Sequence, residues 1–296
     1  MDQAAGLRDM VKENGQGLCA DNDESKDSNS RVRVISITSG KGGVGKTSVT
    51  ANLACVFQSL GKRVLIMDAD LGLSNMDIVL GLNPRYTIGH LLKGEKTLDE
   101  VIVTAQDGVK LLPAASGIQE LTDLDNSQKL FLLNELDALN SRFDILLIDT
   151  GAGISSNVMY FNYAAMERIV VITDEPTSLT DAYALIKILN SEYHQKRFKV
   201  LVNSVPNGNE AEKIFRSLSV VADKYLDSPS LDYLGWIPYD KMIPKTVRKQ
   251  KPLLNMNLDT PASKNFKILA NNILASENEP SFEGDIKFFW RSLLDC

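Results

Sequence analysis

Ten consecutive residues carry the types and spacing that hold phosphate: Ser39-Gly40-Lys41-Gly42-Gly43-Val44-Gly45-Lys46-Thr47-Ser48. Residues 40–47 fit the pattern G-x-x-x-x-G-K-[ST], whose glycines let the backbone wrap an anion with its N–H groups turned inward. In such a loop the stretch from Gly40 to Ser48 lines the nucleotide. Lys46 reaches the β- and γ-phosphates, and the Thr47 hydroxyl holds Mg²⁺. A second lysine, Lys41, stands inside the same loop. One phosphate cradle does not need two lysines in one place, so Lys41 is expected to have a separate task.

Two carboxylate groups complete the chemistry. Asp68-Ala69-Asp70 follows the apolar run Val64-Leu65-Ile66-Met67, and Asp149 follows Ile145-Leu146-Leu147-Ile148. An apolar strand ending in aspartate suits a residue that steadies Mg²⁺, often through a water, which is the expectation for Asp149. Asp70 is then expected to join Thr47 and Asp149 at the metal and to orient or deprotonate the attacking water. Aspartates at strand ends also cap helices, and for Asp68 the sequence leaves both readings open.

The elements that must position these groups are readable around them. Arg33-Val34-Ile35-Ser36-Ile37-Thr38 predicts a strand entering the loop, and Val49, Leu53, Val56, Phe57 and Leu60 recur at helical spacing after it, with Gly61 as a stop. Further strands are expected at 64–67, 109–113, 145–148, 168–172, 200–202 and 234–237. Helices are expected at about 127–140, 178–192, 209–226, 240–250 and 262–275. Short apolar strands alternating with helices predict one doubly wound α/β domain, a mainly parallel sheet covered on both faces. Right-handed crossovers put the C-terminal strand ends, and so Asp68, Asp149, Asp174 and Asn203, on the ligand-binding edge.

This constellation resembles the deviant-Walker ATPases, the branch of P-loop proteins containing MinD and the ParA partition proteins. The resemblance rests on Lys41 through Thr47, Asp68-x-Asp70 and the Asp149 strand, and it spans about residues 31–275. It implies slow Mg²⁺-dependent ATP hydrolysis and a homodimer that closes on ATP, in which Lys41 crosses to the partner subunit's nucleotide. It also implies adenine contacts at Asn203 and at the turn Pro238-Tyr239-Asp240. One position departs from the cell-division members, which usually carry a proline where Gly151 stands. The run Glu175-Pro176-Thr177-Ser178-Leu179-Thr180-Asp181-Ala182-Tyr183 resembles the flagellar branch instead, the FlhG-type number regulators. So does the N-terminal Asp2-Gln3-Ala4-Ala5-Gly6-Leu7-Arg8, which looks like their D-Q-A-x-x-L-R activator motif. In that branch such a segment docks on FlhF, a signal-recognition-particle-type GTPase, and stimulates GTP hydrolysis. Asp2, Gln3, Ala4, Leu7 and Arg8 are therefore the expected partner-activating residues. Many relatives also contact the C-ring assembly or an NtrC-type flagellar activator, and the sequence leaves both open.

The chain divides into an N-terminal segment at 1–11, a polar flexible linker at 12–30, an ATPase domain at 31–276 and a C-terminal helix at 277–296. In that last stretch Ile286, Phe289, Trp290, Leu293 and Leu294 share one helical face. Such a face suits reversible membrane binding, and equally a core-packing terminal helix. With 32 Lys and Arg against 38 Asp and Glu, the net charge is −6. That argues against a broad nucleic-acid surface, so no direct nucleic-acid binding is expected. There is no apolar run of spanning length and no signal peptide, and Cys19, Cys55 and Cys296 fit neither a disulfide framework nor a zinc site. The expected location is the cytoplasm, with reversible contact to the inner membrane face. Two other classes are compatible with the loop. A nucleotide-sensing adaptor would keep the loop without needing Asp70 and Asp149, and a MinD/ParA-like ATPase could position another cargo.

Overall fold

The computed structural model describes residues 32–70, 75–113, 138–227, 229–256 and 258–276. The expectations for the N-terminal segment, the linker, most of the 127–140 helix and the C-terminal helix lie outside the described residues.

Continuous apolar runs produce strands buried on both faces. The strand β1 (Arg33–Ser39) is buried along its whole length, as is β2 (Val64–Ala69). They join β3 (Val103–Thr104), β4 (Lys110–Pro113), β5 (Ile145–Ala152), β6 (Glu167–Ile172), β7 (Arg197–Val205) and β8 (Ser230–Pro238). The eight strands lie in the order β3-β4-β2-β5-β1-β6-β7-β8, so β1 and β5 occupy the centre. Every pairing is parallel except β3 with β4.

Alternation along β1 divides the layers. Ile35 and Ile37 face α1 (Lys46–Ser59) and α9 (Pro261–Ala275), whose Val49, Leu53, Phe57, Phe266 and Leu269 fill one core. Val34 faces the other side, with Phe161 of α5 (Ser156–Ala164). Farther along that side, α6 (Pro176–Ser191) and α7 (Gly208–Tyr225) pack on β6 and β7.

Several boundaries differ from the sequence expectation. The strand predicted to stop at Ile148 runs on to Ala152, because Asp149 and Thr150 are buried and stay in register with β2. Asp149 is thus inside a strand rather than at its end. The strands β7 and β8 are longer than their apolar cores, since their ends alternate between buried and exposed positions. Helices α2 (Met76–Leu80), α3 (Ile88–Leu92) and α4 (Leu98–Val101) are too short to show a helical period, and α5 is a further helix for which the sequence carried no expectation. The helix expected at 240–250 is α8 (Met242–Arg248).

Ser36 and Thr38 point to the α5 side of β1, where their hydroxyls need partners. Asn162 of α5 supplies both. Its carbonyl oxygen accepts from Ser36 (2.9 Å), and its amide donates to Thr38 Oγ1 (3.0 Å) and to the Val158 carbonyl (2.7 Å). The buried Arg168 guanidinium donates to the carbonyls of Asn162 and Ala165 (both 2.6 Å), closing the end of the same helix. Its own pKa falls to about 10 because burial disfavours the charge. The helix following Asp149 is thereby fastened to the strand that feeds the phosphate loop. Replacing Asn162 with Ala is expected to lower unfolding free energy by about 2–3 kcal/mol, since buried hydroxyls lose partners. Urea melts would show a lower midpoint at unchanged slope. A shift of under about 0.5 kcal/mol would mean the network gives no net stability.

Candidate nucleotide site

The loop between β1 and α1 is built from backbone conformations that only glycine takes easily. Gly43 has φ +81° and Gly45, the N-cap of α1, has φ +93°. A side chain at Gly43 would meet nothing within 4 Å, so the loop opens there onto space a phosphate can fill. At Gly40 a Cβ would overlap the Asp181 backbone, which shows how closely the loop lies against α6. No acidic residue occupies the first turn of α1, so its N–H groups and positive dipole end are available to an anion.

The loop is held from several sides. Gly153 N–H donates to the Ser39 carbonyl (3.0 Å), tying the loop to the end of β5. Asn203, at the end of β7, donates its amide to the Val44 carbonyl (2.8 Å). Expected as an adenine contact, Asn203 is placed first as a brace beneath the phosphate loop. Lys46 is buried and donates to Ser39 Oγ (2.9 Å), which itself donates to the Lys41 carbonyl (2.7 Å). Burial pulls the Lys46 pKa down, while Asp149 and then Asp70 pull it up. Lys46 is thus within electrostatic reach of both Asp149 and Asp70.

Asp149 pairs in register with Asp68 across β2 and β5. Burial raises its pKa to about 7, the Asp68 charge adds to that rise, and the Thr47 hydroxyl, Lys46 and the Thr50 hydroxyl oppose it. Thr50 lies one turn beyond Thr47 and donates to Asp149 Oδ1 (3.2 Å) or to the Lys46 carbonyl (3.0 Å). A buried carboxylate whose negative charge is under-compensated, bonded to the loop threonine, fits a divalent cation. Thr47 and Asp149 are the residues that would hold Mg²⁺. The open choice at Asp68 resolves towards a structural role: its oxygens accept from Asp70 N–H (3.2 Å) and from Met76 N–H at the start of α2 (3.3 Å). Asp70 itself leans over Gly151, where a Cβ would come 3.4 Å from Asp70 Oδ1. That is ordinary van der Waals contact, so the space at Gly151 does not by itself require glycine.

Lys41 does not point into its own loop. Its ammonium is bound by the Glu175 carboxylate and by Thr177 Oγ1 (2.8 Å), at the N-terminal end of α6. At the expected adenine turn, Tyr239 N–H donates to Val205 O (2.9 Å) and the Tyr239 side chain is exposed. Asp240 Oδ1 accepts from Met242 N–H (2.8 Å), while its Oδ2 is buried with no hydrogen-bond partner. That orphan acceptor suits an amino group such as the one on adenine. Thr50, Glu175 and Thr177 are not identified as site residues by the sequence, and Ser39 is visible there only as the first residue of the phosphate-holding stretch. Only Thr50 carried a usable signal, its i+3 spacing from Thr47.

Among the described residues no helix is long and apolar enough to cross a membrane. A family model described as an AAA domain matches residues 32–201. The chain is 41% identical to the antiactivator FleN of Pseudomonas aeruginosa, over 89% of this chain and 94% of the relative. It is 33% identical to the flagellum site-determining protein YlxH of Helicobacter pylori, over 90% and 92%. Among solved structures, the septum site-determining protein MinD of Pyrococcus horikoshii, complexed with Mg-ADP, superposes with TM-score 0.64 at 26% identity. That match covers 84% of this chain and 99% of that one.

The raised pKa of Asp149 has a stability consequence. Between about pH 4 and about pH 7 the unfolded chain has released a proton that the folded chain still holds, so stability falls as pH rises through that window. Without nucleotide, an Asp149→Asn variant is expected to be more stable than the parent at about pH 8, with the difference shrinking towards about pH 5. Urea melts at both pH values decide it, and an equal difference at both would refute the assignment. The same variant should lose Mg²⁺-dependent nucleotide binding by about tenfold or more.

Proposed function

The chain belongs to the MinD/ParA family of ATPases, most like its flagellar branch, and we propose that it is an ATP-driven dimerising switch that sets flagellar number and placement. It hydrolyses ATP. Mg²⁺ supplies charge stabilisation on the phosphates when bound, held by Thr47 and Asp149. Lys46 leaves Ser39 for the β- and γ-phosphates and neutralises charge that develops as the γ-phosphoryl departs. Asp70 orients the attacking water, with its backbone fixed by Asp68. The loop amides from Gly40 to Ser48 hold the phosphates, while Asn203 and Pro238-Tyr239-Asp240 receive the base.

The observation that carries the switch is the bonding of Lys41. In the single chain, Glu175 and Thr177 hold its ammonium. We infer that ATP closes two copies face to face and that Lys41 exchanges those partners for the nucleotide of the second subunit. The run from Glu175 to Tyr183, which marks the flagellar branch, would then report nucleotide state at the dimer face. Residues 1–11 are the activator of an FlhF-type GTPase, carried on the tether 12–30. Residues 277–296 give reversible contact with the inner face of the cell membrane through Ile286, Phe289, Trp290, Leu293 and Leu294. C-ring proteins or an NtrC-type activator are further clients, in keeping with the name of the antiactivator relative.

An Asp70→Ala variant should bind Mg-ATP within about threefold of the parent yet lose at least about 100-fold in turnover. Equal turnover would make the chain a nucleotide-sensing adaptor. GTP hydrolysis by the FlhF-type GTPase of the same organism, with the full chain and with a version lacking residues 1–11, tests the flagellar reading. Stimulation that vanishes with the truncation supports it. No stimulation by either version leaves a MinD-like ATPase with another client.

A further inference from the structure

An acidic chain concentrates a basic ridge at one place. Over residues 241–251 there are five cations, Lys241, Lys245, Arg248, Lys249 and Lys251, and no carboxylate. All five are exposed, and among the described residues none makes an ion pair. Some cations elsewhere are answered locally, Arg63 by Asp144, Lys96 by Glu100, Lys213 by Glu210 and Lys264 by Asp259, and what sets the ridge apart is five unanswered cations within eleven residues. The ridge is rigidly seated, because Met242, Ile243 and Val247 pack into the core and Thr246 is buried. Lys241, Lys245 and Arg248 therefore fall at i, i+4 and i+7 on the outward face of α8. Lys245 and Arg248 suit the negative end of that helix. Lys241 stands at its N-cap, where a cation is disfavoured, so helix polarity does not account for the set. Neighbouring like charges repel at these spacings, and an anionic partner would relieve that repulsion.

We propose that this ridge is a docking surface for a short acidic segment of a partner protein, a function separate from the ATP site and independent of the reading given to it. The footprint selects this occupant. Helix α8 is only about 10 Å long, and carboxylates bound the ridge at both ends. Asp240 precedes it, and Asp107 and Asp259 line the cavity of about 680 Å³ onto which Lys251 opens. An extended phosphate surface, whether duplex DNA or a bilayer, would press its charge against those acids and against a protein of net charge −6. A helix with carboxylates at matching spacing meets only the cations. A second copy of this chain would set cation against cation. Lysine outnumbers arginine four to one, so recognition is by charge position rather than by bidentate geometry.

The test uses the full chain and a labelled alanine-glutamate helical peptide of about 15 residues, with fluorescence anisotropy at low and at physiological salt. A Lys241→Glu, Lys245→Glu, Arg248→Glu triple variant should bind it at least about tenfold more weakly. The equivalent glutamine set should lose less, and a Lys213→Glu, Arg216→Glu control on α7 should stay within about twofold. A triple variant that binds like the parent would overturn the proposal, as would a parent chain that does not bind the peptide. So would a parent that prefers a DNA duplex or phosphatidylglycerol vesicles through these same residues. ATP turnover within about twofold of the parent in every variant separates this result from a failure of the ATPase reading.

Discussion

The register between β2 and β5 sets Asp68 directly beside Asp149 in a dry interior. Neighbouring strands lie under about 5 Å apart, so two carboxylates there cannot both carry charge unless cations answer them. Much of the site is an answer to that pressure. Lys46 comes in from the loop, Thr47 and Thr50 donate hydroxyls, and Asp68 spends its oxygens on the backbone N–H groups of Asp70 and Met76. What is left at Asp149 is an anionic charge that a nucleotide-borne cation completes. The protein therefore holds its binding energy in reserve at the place where Mg-ATP enters.

The loop above this pair is braced rather than floppy. Asn203 holds the Val44 carbonyl, Gly153 holds Ser39, and Gly40 lies against α6. Through Asn162, the helix after Asp149 is tied to the same strand. The loop is thus in direct contact with the end of β5 and, through Gly40 beside Asp181, with α6. The start of α6 is where Glu175 and Thr177 hold Lys41. These contacts join the phosphate site to the surface around Lys41. The Lys41 ion pair is partly exposed, so its net strength is modest and a nucleotide phosphate can compete for the lysine.

Some of this was legible from sequence and some was not, for identifiable reasons. The phosphate loop is a local code, because its glycines, Lys46 and Thr47 act through backbone conformation and adjacency. The parallel sheet followed from unbroken apolar runs such as Ile145 to Ile148. The same rule cut β5 short, since Asp149 and Thr150 are polar yet buried, satisfied by partners that no local pattern announces. Asn203 was located at the right edge, but its brace on Val44 depends on a contact 159 residues away in sequence. Glu175 and Thr177 stood in a segment noticed only for resemblance, because an ion pair to Lys41 leaves no periodic trace. The overall acidic charge hid the basic ridge on α8, which an average over 296 residues cannot reveal.

The central claim is that Lys41 exchanges a bond within its own chain for one to a second subunit's nucleotide. Sedimentation velocity of the Asp70→Ala protein, with and without an added Lys41→Ala change, in Mg-ATP and in Mg-ADP, tests it most directly. The account predicts dimer in ATP and monomer in ADP for the first protein, and monomer in both nucleotides for the second while ATP binding persists. A dimer that forms equally with alanine at position 41, or that ignores the nucleotide, would contradict it.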